Sequence, residues 1–88
     1  MEIQGKIIAV LPMKSGRSAK GEWKSQQYVL ETDDRYPKRL LFDLFGENKI
    51  NEFAIQEGDI VTVSFDTDAH LKDGRWFGGN RAWDVRKE

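Results

Sequence analysis

Hydrophobic and polar positions alternate with period two along most of this chain, which predicts strands. Over Ile3 to Met13, the residues Ile3, Gly5, Ile7, Ala9 and Leu11 alternate with Gln4, Lys6, Ile8 and Val10. Gly5 inside that run predicts a bulge or bend, as where a strand curves into a barrel. Ser15 to Gly21 reads as a polar, flexible loop. A second strand over Glu22 to Thr32 sends Tyr28 and Leu30 to the core and Gln27, Val29 and Glu31 outward. Asp33 to Pro37 make a short turn. A third strand, Lys38 to Phe45, sets Leu40, Phe42 and Leu44 on one face. Its other face carries Arg39, Leu41, Asp43 and Phe45.

Gly46 closes that strand, and Asn48 reads as the N-cap of a helix near Lys49 to Ile55. Ile50, Phe53 and Ala54 fall at helical spacing and would plug one end of a barrel. Glu57-Gly58-Asp59 forms a turn. A fourth strand follows over Ile60 to Asp66, with Val61, Val63 and Phe65 inward and Thr62 and Ser64 outward. Lys72-Asp73-Gly74 makes a hairpin tip. The fifth strand runs from Arg75 to about Arg86, broken or bulged at Gly78 and Gly79, with Trp83 and Val85 as its core pair. Three strands, a helix and two strands are the order of an all-β, five-stranded OB-fold Greek-key barrel. A small barrel of the SH3 type is the alternative; the helix after the third strand favours the OB order.

Length and composition narrow the function. At 88 residues the chain is one domain spanning 1–88, too small for a two-lobed enzyme with a deep cleft. The absence of Cys excludes disulfides, thiolate metal sites and a cysteine nucleophile. A single His cannot build a multi-His metal centre. No apolar run approaches the roughly 20 residues of a membrane span, and no signal peptide opens the chain, so the cytoplasm is the expected compartment. His70, in a predicted loop, reads as solvated rather than as a general base. Asp66 and Asp68 read as an exposed strand end. Neither a phosphate-cradling Gly-rich loop nor a nucleophile elbow is present. The expectation is a non-enzyme without metal or cofactor.

Single strands are held by cations that track phosphates and by aromatic faces that stack bases. Such residues form three clusters here. The first is Lys14, Arg17, Lys20, Trp23 and Lys24; the second is Lys38, Arg39 and Phe45; the third is Lys72, Arg75, Trp76, Phe77 and Arg81. In an OB-fold, the loops bearing the first and third flank the outer face of the second and third strands. Trp83 and Phe65 are expected in the core, and Trp76 is expected exposed. The formal net charge of −1 conceals opposed regions. Residues 6–39 carry eight cations against four acids, residues 40–70 one against seven, and residues 71–88 five against three. The acidic block is expected to face away from the groove.

These segments resemble the OB-fold single-stranded-DNA-binding proteins of bacteria, most of all compact, tail-less members of uncharacterised type. Gln4-Gly5-Lys6-Ile7 resembles their opening strand, and Tyr28-Val29-Leu30-Glu31-Thr32 their second. Leu44-Phe45-Gly46 is similar to the third-strand exit, whose Phe stacks a base in that family. Glu57 to Val63 resembles the turn into the fourth strand, and Asp73-Gly74-Arg75-Trp76 the aromatic and basic hairpin. The chain departs from the family in lacking the acidic Gly/Pro-rich tail that recruits partners, and in its short link between the second and third strands. Asp43 also places a phosphate-repelling charge on the binding face. The resemblance implies single-stranded DNA, or RNA, as partner, with no membrane involved. Phosphates would meet Lys14, Arg17, Lys20, Lys24, Lys38, Arg39, Lys72, Arg75 and Arg81; bases would stack on Trp23, Phe45 and Trp76. The competing expectation is a protein-interaction or homo-oligomerising module using Val29, Leu41 and Phe45.

Overall fold

The computed structural model describes residues 1–19 and 21–88, so the predicted phosphate contact Lys20 lies outside the described residues. The strands are β1 (Glu2–Val10), β2 (Lys14–Ser18), β3 (Gly21–Glu31), β4 (Arg39–Phe45), β5 (Ile60–Lys72) and β6 (Arg75–Lys87), with one helix, α1 (Glu47–Phe53), between β4 and β5. Neighbouring strands follow the order β1-β5-β6-β4-β3-β2, and β1 also pairs with β3. That last pairing closes β1, β5, β6, β4 and β3 into the five-stranded OB barrel. β4 and β6 meet only through a short parallel contact, Asp43 opposite Arg81 and Leu44 opposite Ala82.

β2 is a strand where the sequence predicts a loop. Its Lys-Ser-Gly-Arg-Ser run has no apolar alternation to reveal it. Pairing against β3, from Lys14 opposite Ser25 to Ser18 opposite Gly21, creates it instead.

β1 must pair along both edges. Glu2 to Lys6 bond to β5, and Lys6 to Val10 bond to β3, with the ladder shifted between Ile7 and Ala9. Gly5 is therefore not the bulge. It is buried, and a Cβ there would collide with the Glu31 carbonyl and the Leu30 side chain. Glycine is required because two backbones approach too closely for any side chain.

The core is the inward set predicted by alternation. Ile7, Tyr28, Leu30, Phe42, Leu44, Val61 and Val63 are fully buried. Tyr28 stacks on Phe42 with centroids 5.4 Å apart. The Tyr28 hydroxyl donates to Gln26 Oε1 at 2.9 Å, and Gln26 Nε2 donates to the Leu11 carbonyl at 2.9 Å. A buried hydroxyl with a partner avoids the cost of an unmet polar group.

α1 begins before the predicted cap. Gly46, at φ 101°, holds the N-cap position, and Asn48 lies inside the helix. The chain reverses immediately after β4, and only a residue tolerant of positive φ fits that corner. Ala54, predicted to be inward, ends the helix in a left-handed conformation at φ 44° and is exposed. Ile50 and Ile55 supply the buried apolar groups at this end.

β5 runs on past its predicted end at Asp66 to Lys72, and with β6, which keeps its predicted span, it forms one long ribbon. Asp73 and Gly74, at φ 52° and 77°, form the two-residue turn that joins them. The ladder runs without interruption through Gly78 and Gly79, which neither break nor bulge it. The irregularity lies elsewhere: Ser64 faces Asp84 and Phe65 faces Ala82, so Trp83 has no opposite residue. That extra residue shifts the alternation. Ala82 and Val85 are inward, and Trp83, predicted as core, is 54% exposed. Ser64, predicted outward, is buried; its hydroxyl donates to Glu2 Oε2 at 3.4 Å.

Two outcomes test this packing. Gly5→Ala is expected to cost about 1–3 kcal/mol, because backbone must move to accept the methyl group; an unchanged urea midpoint would contradict it. Burial raises the pKa of Tyr28 above its ordinary 10.0. Its stabilising effect is complete below that value and is lost as pH rises through the higher folded value. Tyr28→Phe should therefore reduce the loss of stability above pH 10.0, as read by alkaline unfolding curves.

Candidate nucleic-acid interface

The outer face of the barrel follows from the register. Directly opposed residues in an antiparallel ladder point to the same side. Lys14 opposes Ser25, Gly16 opposes Trp23, Ser25 opposes Phe45, Gln27 opposes Asp43, Val29 opposes Leu41, and Glu31 opposes Arg39. All stand away from the Tyr28 and Leu30 core positions. Asp43 in turn pairs with Arg81 across the barrel closure.

At the centre of this face, Trp23 stacks on Phe45 with centroids 6.0 Å apart and planes inclined by 25°. The Arg81 guanidinium lies 4.9 Å from the Phe45 centroid. One member comes from each sequence cluster, so the three clusters converge here. Both rings remain open to solvent, Trp23 at 37% and Phe45 at 43%. Gly16 makes this possible: a Cβ there would lie 2.5 Å from Trp23 Cζ2. The indole covers the bare glycine, a cross-strand device that also pins the ring's angle. An aromatic pair contributes about 0.5–1.5 kcal/mol beyond area burial.

The remaining predicted residues divide by face. Lys14 shares the Trp23 side, and so does Arg39, whose Nε is 3.1 Å from Glu31 Oε2. Arg17 and Lys24 point the other way. Arg17 pairs with Glu22 at 3.7 Å, and Lys24 with Glu47 of α1 at 3.2 Å. Lys38 is exposed just before β4. On the β5–β6 ribbon, Asp66, Asp68, His70 and Lys72 oppose Arg81, Gly79, Phe77 and Arg75. These share the face of Arg81. Trp76 opposes Leu71 on the reverse face, 72% exposed. The aromatic that continues the Arg81 face is Phe77, stacked on His70 at 5.9 Å.

A groove of about 410 Å³ runs along this face. Asp43, Asp66, Asp68, His70, Arg81 and Trp83 are among its walls. The acidic block therefore does not turn wholly away from the site; three of its carboxylates stand beside Arg81. Sequence reasoning leaves Trp83 and His70 out of the site, and counts Phe77 in the third cluster without giving it a stacking role. The two-residue turn at Asp73-Gly74 fixes the pairing of His70 with Phe77, so that pair was readable. Trp83 was not, because a bulge leaves no mark in the pattern. Among the described residues, no group of three or more His, Asp or Glu side chains is placed to hold a metal ion. No described helix is long and apolar enough to cross a membrane.

With this geometry the comparisons can be placed. The family described as "Domain of unknown function (DUF3127)" matches residues 2–86. The chain belongs to the DUF3127 family. No curated protein matches it. Among solved structures, this DUF3127 domain is similar to the mitochondrial single-stranded DNA binding protein Rim1 of S. cerevisiae. That match has 20% identity and a TM-score of 0.73, over 99% of this chain and 91% of that one. It is also similar to the small single-stranded DNA-binding protein of Streptomyces coelicolor. There the identity is 11% and the TM-score 0.55, over 100% of this chain and 92% of the other. At these identities the likeness establishes the OB-fold.

Gly16→Val is expected to displace the Trp23 ring. Near-UV circular dichroism should lose the Trp23–Phe45 signal while the far-UV strand spectrum holds; an unchanged near-UV spectrum would contradict the packing.

Proposed function

We propose that this OB domain binds single-stranded nucleic acid, DNA foremost, across the outer face of β3, β4 and β6, without catalysing a reaction. The observation that carries the reading is the open Trp23–Phe45 stack with Arg81 over it. Flat, half-exposed rings from separate strands suit bases, and a cation lying over one of them suits the phosphates between them. Arg81 makes no ion pair among the described residues, and its guanidinium lies over the Phe45 ring. It is thus available to a phosphate. Lys14, Arg39, Lys72 and Arg75 lie on the same face and extend the track in both directions. Arg17 and Lys24 act at its margin. The OB neighbours named above are single-stranded-DNA-binding proteins, which supports the same reading.

The test is a fluorescence titration with oligo-dT over a salt series. Stacking on Trp23 should quench its emission. Four or five phosphate contacts should give a log K against log salt slope of about −3, from roughly 0.7 per contact. Phe45→Ala should weaken binding by about 1–3 kcal/mol, the range for one stacked base. Absence of quenching at low salt would overturn the reading. An oligonucleotide-free dimer dissociated by Leu41→Lys would favour an interaction module instead.

A further inference from the structure

The three carboxylates beside Arg81 are a poor lining for a phosphate track. Asp43 pairs with Arg81 across the closure, Asp66 opposes it on the ribbon, and Asp68 stands two residues further along. At Debye lengths of roughly 8–10 Å these charges act directly on anything in the groove. A backbone passing over them would be repelled, whereas an uncharged group bearing N–H donors would be held.

The same place offers a ring and a space. Trp83, thrown outward by the bulge opposite Ser64 and Phe65, presents its indole to the groove at 54% exposure. Opposite Asp68 is Gly79, which carries no side chain. A Cβ on Gly79 would lie at ordinary contact distance, 3.6 Å, from Asp43 Oδ2, so the bare glycine leaves space beside that carboxylate. This slot is continuous with the stack through Arg81, which lines the groove and covers Phe45.

We propose that this slot accepts one base of the bound strand, guanine in preference to the others. The base stacks against Trp83 with its Watson–Crick edge toward Asp68 and Asp43. Guanine presents two adjacent donors, N1–H and the N2 amine, which one carboxylate can accept together; thymine presents a single N–H. The backbone then stays outside, along Arg81 and the cations of the ribbon. The site is selective at one position and tolerant at the Trp23–Phe45 stack. This inference rests on the nucleic-acid reading above.

The experiment compares oligo-dT of about 15 nucleotides, within the span of one such barrel, with the same oligonucleotide carrying one central guanine. The expected result is binding about tenfold tighter for the guanine strand, the scale of one good bidentate contact. Asp68→Asn and Trp83→Ala should each bring the ratio of the two affinities close to one. Taking the ratio removes the general gain in affinity that follows loss of a negative charge. Both side chains are exposed, and far-UV spectra check that the variants fold. Equal affinities in the unaltered protein, or a preference that persists in both variants, would overturn the slot while leaving oligo-dT binding intact. Failure of oligo-dT itself to bind would overturn the nucleic-acid reading, and the slot with it.

Discussion

β1 bonds along both of its edges, and the barrel exists only because it does. A sheet of five strands has two exposed edges unless it closes. Closure here asks one nine-residue strand to serve β5 with its first half and β3 with its second. Lys6 pairs in both directions, so the change of partner falls at this residue. Gly5 lets the two strands approach there by removing the atom that would strike Glu31. With β1 in place, β3 and β5 are fixed at a set separation. β4 and β6 then complete the ring through only two residue pairs.

That narrow parallel closure is where the candidate site lies. Asp43 and Arg81 meet across it on the outside, while Leu44 and Ala82 meet across it on the inside. One backbone contact thus divides core from surface at the same point. Inside, Phe42, Leu44 and Tyr28 fill the barrel. Outside, Phe45 on β4 and Trp23 on β3 lie one and two strands from β6, and Phe45 meets its Arg81. The aromatic stack is held by sheet geometry rather than by loops, so its rings are oriented before any ligand arrives. Such preorganisation reduces the ordering cost of binding.

Alternation made the core readable because Tyr28, Leu30, Phe42 and Leu44 each lie two residues from a like neighbour. It failed wherever pairing, and not burial, makes the strand. Lys14 to Ser18 has no apolar face of its own and becomes β2 by lying against β3. Asp66 to Lys72 is fully exposed and becomes strand by lying against Arg75 to Arg81. The helix start was misplaced for a related reason: an Asn looks like a cap, but the corner needed the positive φ of Gly46. Trp83 is the sharpest case. Two residues from Val85, it reads as core by period, and a single bulge turns it to solvent. A candidate ligand surface gained an aromatic ring by an event that no side-chain pattern records.

The same bulge bears on how charge and stacking divide the work. A strand of nucleic acid needs cations for its phosphates and neutral or acceptor surfaces for its bases. Mixed together, the two would cancel. On this face they are separated by position: Lys14 on β2, Arg39 at the start of β4, Lys72 and Arg75 at the ribbon's tip, and Asp43, Asp66 and Asp68 in the groove with Trp83. Arg81 sits at the boundary, over a ring and between carboxylates. Net charge is nearly zero over the whole chain, yet on this face the two signs stand apart, and under the nucleic-acid reading proposed above that separation gives a polyanion a direction in which to lie.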